Sequence, residues 1–230
     1  MNRRSLLHKA LHTTLLSTTA LIALKPQSAR AFANACALDL TPKQTKGPFY
    51  PVADQIARQL DKDADLIAVE GQPDIAKGQI VIVEGKLTDQ HCVPVAGALV
   101  EIWQACASGR YNHPSDPNKA ELDPNFQYWG KSVTDADGVY RFRTLIPGSY
   151  QADVNWRRPP HIHFKVAHLG YRELITQMYF AGEALNERDL ILQDLEKADQ
   201  KKVIVGFQQQ PGSPHPVGVF DIQIQKITRA

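Results

Sequence analysis

An all-β fold, an antiparallel β-sandwich with long loops, one short helix and an extended N-terminal arm, is predicted by three features of the sequence. Short apolar or alternating runs recur from Gln79 onward, turn residues separate them, and a single stretch, 187–199, carries helical periodicity. The 230 residues suffice for one domain with a sizeable core. Composition and punctuation divide the chain into a leader (1–33), an arm (34–78) and the β domain (79–230).

The elements follow in order. Thr41-Pro42 and Gly47-Pro48-Phe49-Tyr50-Pro51 read as coil pinned by prolines, laid over the body as an arm. Ile80-Val81-Ile82-Val83 is a buried strand. Residues 98–103 form another, with Leu99, Glu101 and Trp103 on one side and Val100 and Ile102 on the other. A polar loop, roughly 112–130, is long enough to expect either a functional role or disorder. Asp135-Ala136-Asp137-Gly138 turns into the alternating strand Val139-Tyr140-Arg141-Phe142-Arg143; lacking a twelve-residue loop that ends in Glu, it reads as a turn rather than a calcium site. Strands are expected at 161–166, 174–180, 203–205 and 220–224, and one helix at 187–199, with Leu190, Ile191, Leu195 and Ala198 on a stripe.

The first 33 residues hold five basic side chains (Arg3, Arg4, Lys9, Lys25, Arg30) and no acid. Paired arginines, a modest apolar run and the small-residue sites Ala29-Arg30-Ala31 and Ala31-Phe32-Ala33 resemble a twin-arginine export signal, which predicts a periplasmic or secreted protein. The apolar run is too short and polar to span a bilayer, and no later stretch reads as membrane-spanning. Removing the leader leaves 21 basic against 24 acidic residues, so the body has no basic surplus for nucleic acid. Cys36, Cys92 and Cys106 would permit one bridge and one leftover thiol, with the pairing open.

His161 and His163 are two apart in a strand, so both imidazoles face one side while Ile162, Phe164 and Val166 face the core. Pro159 and Pro160 stiffen the approach. Such a pair suits a metal, although two same-face histidines on a half-solvated strand are also ordinary. Tyr111, after Gly109-Arg110, and Tyr150, after Pro147-Gly148-Ser149, stand where strands meet loops. A phenol ligates only a metal acidic enough to strip its proton, and a hard trivalent ion such as Fe³⁺ meets that need; wet interfacial tyrosines are the plainer account.

Together these motifs resemble the intradiol ring-cleavage dioxygenases, in particular the branch of the iron-bearing β subunit of protocatechuate 3,4-dioxygenase. The segments that carry the likeness are Gly109-Arg110-Tyr111, Leu122-Asp123-Pro124-Asn125-Phe126, Thr134 through Thr144, Pro147-Gly148-Ser149-Tyr150, Arg158 through Phe164, Leu174 through Phe180 and, in the arm, Gly47-Pro48-Phe49-Tyr50. The resemblance implies a mononuclear non-haem Fe³⁺ held by Tyr111, Tyr150, His161 and His163. It implies cleavage of a catechol-type diol by O₂ to a cis,cis-muconate, as in aromatic catabolism, with Tyr150 accepting a proton and Arg158 stabilising anionic charge. Gln177 falls at a position behind the metal ligands and Pro48 at a substrate-facing one. A homo-oligomer or an α-type partner subunit is implied as well. Gln151-Ala152 stand where that branch has Pro-Trp, and the segment between Tyr150 and His161 is short, which leaves the substrate's identity open, with Trp156 available to fill the space. A metal-free β-sandwich binding or partner subunit is the alternative.

Overall fold

The computed structural model describes residues 40–59 and 61–227. The leader with its cleavage sites, and Cys36, lie outside them. The described residues fall within one compact unit.

Helix α1 (Ala53–Arg58) lies in the arm. Strands β1 (Ile80–Asp89), β2 (Leu99–Trp103), β3 (Trp129–Val133), β4 (Val139–Leu145), β5 (Tyr150–Asp153), β6 (Trp156–Arg158), β7 (His161–Ala167) and β8 (Leu174–Phe180) follow. A 3-10 turn (Ala184–Arg188), helices α2 (Leu190–Gln193) and α3 (Lys197–Val203), and strands β9 (Ile204–Val205), β10 (Phe207–Gln208), β11 (Val217–Val219) and β12 (Ile222–Ile224) complete the described chain. One sheet runs β10-β11-β1-β12 with β4 also paired to β1; the other runs β3-β2-β7-β8-β9; β5 and β6 form a separate ribbon.

The sandwich core follows from period-two burial. In β4, Tyr140 and Phe142 point inward while Val139 and Arg141 stay outside. They meet Phe164 of the other sheet at ring separations of 6.1 and 6.5 Å, and Phe220 closes on Phe164 at 5.0 Å. Val100, Ile102, Ile162, Val166 and Met178 fill the same layer. These residues therefore supply the apolar burial that drives the two sheets together.

The β-sandwich expected from the sequence is present, with three differences of detail. The sheets are mixed: β1 pairs β4 antiparallel but β11 and β12 in parallel, and β8 pairs β9 in parallel. The single helix expected at 187–199 is broken into the 3-10 turn and α2, with α3 beginning only at Lys197. Asp189 caps α2 with its carboxylate, and the side chains buried here are Leu192, Gln200 and Val203, not the stripe that includes the exposed Leu190. The arm, expected as coil, contains α1 and buries Leu66 and Ile67 in the main core. The long loop is packed, with Phe126, Gln127 and Tyr128 buried. Among the described residues, no helix is long and apolar enough to cross a membrane.

Candidate metal centre

The outer face of β7 holds the site. His161 and His163 alternate with the core residues Ile162 and Phe164, and their cross-strand partners are Tyr179 and Gln177 on β8 and, for His163, Trp103 on β2. In an ordinary sandwich this face would be wet. Here the arm covers it: Gln44 donates to the Gln177 carbonyl (2.9 Å) and the Thr176 hydroxyl (3.1 Å), Tyr179 donates to Gln44, and Gln177 donates to the Thr45 carbonyl. Both histidines are left 2 % exposed, as buried as core residues.

The two tyrosines arrive on a pair of loops whose backbones touch. A Cβ on Gly109 would sit 2.5 Å from the Ser149 carbonyl oxygen, and one on Gly148 would sit 2.5 Å from that of Ala107. Gly109 also has φ +80°, which disfavours any side chain there. Only glycines permit this approach, and it brings the Tyr111 and Tyr150 rings to 5.5 Å, edge on. Phe49 of the arm packs against both, at 4.7 and 5.9 Å.

The four rings converge. Tyr111 Oη lies 3.3 Å from His161 Nε2; His161 and His163 are 4.9 Å apart, Tyr150 and His161 5.7 Å, and Tyr111 and His163 6.3 Å between centroids. His161 Nδ1 donates to the Pro159 carbonyl at 2.7 Å, which fixes its tautomer and leaves the Nε2 lone pair facing Tyr111. His163 Nδ1 is buried without a hydrogen-bond partner. Burial, then the Arg158 charge, hold both imidazoles well below their usual pKa, so they are neutral and able to ligate. Burial, then the neighbouring phenol, pushes Tyr111 well above the usual tyrosine range; burial raises Tyr150 too, partly offset by Arg158. Without a cation the phenols keep their protons.

Among the described residues no group of three or more His, Cys, Asp or Glu is placed to hold a metal. The donor set is completed by tyrosine oxygens. Two neutral imidazoles and two phenols fit a hard trivalent cation that can deprotonate phenol, and they fit it better than zinc or a divalent oxygen-seeking ion.

Arg158 lies beside this group. Its Nη1 donates to His161 Nε2 (3.1 Å), Nη2 to Gln177 Oε1 (2.8 Å) and Tyr179 Oη (3.2 Å), and Nε to Asp189 Oδ2 (2.9 Å). Burial works against its charge, but Tyr179 and Asp189 outweigh burial and its pKa stays raised. Trp156 covers the guanidinium at 5.5 Å. Pro48 is exposed between Gly47 and Phe49. A cleft of about 500 Å³ opens beside Tyr150, lined by Ser149, Gln151, Ala152 and Arg157. A slightly larger one, about 570 Å³, lies between α1 and the long loop and includes none of the four rings.

The structure thus gathers Tyr111, Tyr150, Arg158, His161, His163 and Gln177 at one place. Sequence reasoning missed Asp189, Tyr179, Gln44, Phe49 and Trp103. Only Asp189 left a usable signal, as an acid directly before Leu190 where a helix starts.

Comparison with known proteins identifies the family. Residues 46–223 match the dioxygenase family model Dioxygenase_C. The chain belongs to the intradiol dioxygenase family. Among family members, the protocatechuate 3,4-dioxygenase beta chain of Burkholderia cepacia is 43% identical over 153 residues, 64% of this chain and 63% of its own length. The catechol 1,2-dioxygenase of Candida albicans is 35% identical over 145 residues, 54% of this chain and 46% of that protein. The chain thus spans under two thirds of the length of these relatives. The dioxygenase domain of a dioxygenase carbohydrate-binding fusion from Streptomyces sp. SirexAA-E is 26% identical, with a TM-score of 0.59, covering 82% of this chain and all of that domain. An intradiol ring-cleavage dioxygenase from Tetranychus urticae, at 23% identity and TM-score 0.62, shares the fold.

Proposed function

We propose that this protein is an exported intradiol dioxygenase that cleaves a catechol-type diol between its two hydroxylated carbons, adding both atoms of O₂ to give a cis,cis-muconate. The convergence of two phenols and two neutral imidazoles beside a buried guanidinium carries this reading. Tyr111, Tyr150, His161 and His163 would hold a mononuclear Fe³⁺. When bound, that ion supplies the Lewis acidity that deprotonates phenols and the redox coupling between an electron-rich ring and O₂.

The protein's own groups do the rest. Tyr150 is the least buried of the four ligands and the closest to the cleft, and as phenolate its Oη is the acceptor for one catechol proton. Arg158, held charged and immobile by Asp189, Gln177 and Tyr179, places a fixed cation where anionic oxygen develops. The arm, through Gln44, Thr45 and Phe49, closes the face over β7 and keeps bulk water from the histidines. Pro48, exposed between Gly47 and Phe49, would face substrate by the family resemblance. Gln151-Ala152 line the cleft beside Tyr150, and the substrate we assign is a catechol whose ring substituents are to be ranked by the spectral test below. The activities of the relatives support the same chemistry.

The test is a visible spectrum of iron-reconstituted protein, repeated with catechol and then protocatechuate in the absence of air. Phenolate-to-iron charge transfer should colour it red-brown, a diol should shift the band, and O₂ should bleach the complex. A protein colourless after reconstitution would leave a metal-free binding subunit as the better reading. Export is tested by fractionating cells that express the full chain, with Arg3→Lys/Arg4→Lys expected to retain it inside. Assembly as a homo-oligomer or with an α-type subunit is tested by light scattering of the purified protein alone and after co-expression with a candidate α-type subunit.

A further inference from the structure

The two histidines of the site are held in different ways. His161 has the usual arrangement of a ligating histidine: its second ring nitrogen donates to a backbone carbonyl, which fixes tautomer and ring plane together. His163 has no such bond, because its buried Nδ1 meets no acceptor. Something else must orient that ring. Trp103, its cross-strand partner, lies flat against it, with centroids 4.7 Å apart and planes 9° from parallel. On another side, a Cβ at Gly47 would come within 3.4 Å of His163 Cε1, and Gly47 has φ +67°, so the arm backbone closes on the imidazole with nothing between.

Trp103 is itself held from behind. Tyr50 packs its edge on the indole at 4.9 Å and 89°, its hydroxyl donates to Glu101 at 3.2 Å, and Glu101 pairs with Lys165 at 3.3 Å. The indole Nε1 is buried and unpartnered, which costs stability that a phenylalanine at this position would not. What the indole adds is area against the imidazole face. A metal ligand must sit within about 10–20° of its productive orientation. A stack only 9° from parallel supplies that constraint where a hydrogen bond is missing.

We propose that Trp103 is the positioning residue for His163, acting as a stacked wall with Gly47 and Tyr50 of the arm completing the clamp. The inference rests on the ligand set of the proposed function. One ligand is then fixed by a hydrogen bond that also raises its basicity, and the other by packing alone. His163 becomes the ligand whose alignment depends on the arm being docked.

Two variants separate alignment from bulk. Trp103→Phe keeps an aromatic face; Trp103→Leu removes it. Fe³⁺ affinity by chelator competition should fall about 10–100-fold in Trp103→Leu and stay within about fivefold of wild type in Trp103→Phe, the scale of lost outer-shell partners. The second readout uses metal-free protein: ¹⁵N-histidine spectra should show sharp His163 ring signals in wild type and Trp103→Phe, and exchange broadening in Trp103→Leu, with His161 unchanged. Wild-type iron affinity in Trp103→Leu together with unaltered His163 signals overturns the proposal. So does loss of the His161 and His163 signals together, which marks a general structural role. If wild type itself binds no iron, the proposed function fails, and the metal-free spectra still decide the clamp.

Discussion

Replacing Asp189 with asparagine tests how Arg158 is held. The Asp189 carboxylate is fully buried and has two tasks. It pairs with Arg158 (Nε to Oδ2 2.9 Å, Nη2 to Oδ1 3.3 Å), and its Oδ1 accepts from the backbone of Ile191 and Leu192 at 2.9 Å each, capping α2. Asparagine can keep the cap through its own oxygen, but it turns an NH₂ toward the guanidinium and leaves a buried charge without its counter-ion. Breaking one side of a buried pair costs about 3–5 kcal/mol. Arg158 retains Gln177 and Tyr179 as acceptors, which places Asp189→Asn near the lower end, about 3 kcal/mol. Asp189→Ala also loses the cap, which adds about 1 kcal/mol. Urea unfolding measures both, and a double-mutant cycle with Arg158→Met should give a coupling above about 2 kcal/mol. In the iron-loaded enzyme the loosened guanidinium should lower kcat more than it raises KM. An Asp189→Asn protein within about 1 kcal/mol of wild type, showing no coupling to Arg158, would refute a paired role.

Other outcomes follow from the same geometry. The metal-free protein should lose stability in acid. His161 and His163 have folded pKa values below the ordinary one, so the unfolded chain takes up protons first as pH falls through about 6.5, and between pH 7 and 5.5 the two together should cost about 2–3 kcal/mol; a urea midpoint flat across that window would contradict neutral burial. Gly148→Ala drives a Cβ into the Ala107 carbonyl and should cost about 1–3 kcal/mol while separating the tyrosine loops; unchanged melting and iron content would show the contact is dispensable. Tyr111→Phe removes the oxygen beside His161 Nε2 and should abolish or cripple iron binding and the phenolate band; a fully coloured, iron-replete variant rules out Tyr111 as ligand.

The sequence by itself determined the β-rich character of the fold, the two-faced character of β7 and, through the family resemblance, Tyr111, Tyr150, Arg158, His161, His163 and Gln177 as residues of the site; β3, β5, β6, β10 and β11 emerged only in the structure. Strand periodicity is a local property, so His161 and His163 on one face and Ile162 and Phe164 on the other are legible from alternation alone. The glycines before Tyr111 and Tyr150 were visible too, but their purpose was not. The close passage of the two loops joins Gly109 to Ser149 and Gly148 to Ala107, contacts that no local pattern encodes. Parallel pairing of β11 and β12 with β1 was hidden for the same reason, because alternation reports the face of a residue and not the direction of its neighbour. Only the tertiary structure decided how the arm covers the outer face of β7. It sets Gly47 against His163 and Phe49 against both tyrosines, and through Gln44 and Thr45 it ties the strap to β8. Burial of those imidazoles is completed by the arm, more than a hundred positions away in the chain, over the walls set by Trp103, Tyr111 and Tyr150, and the Arg158 charge adds to their neutral state.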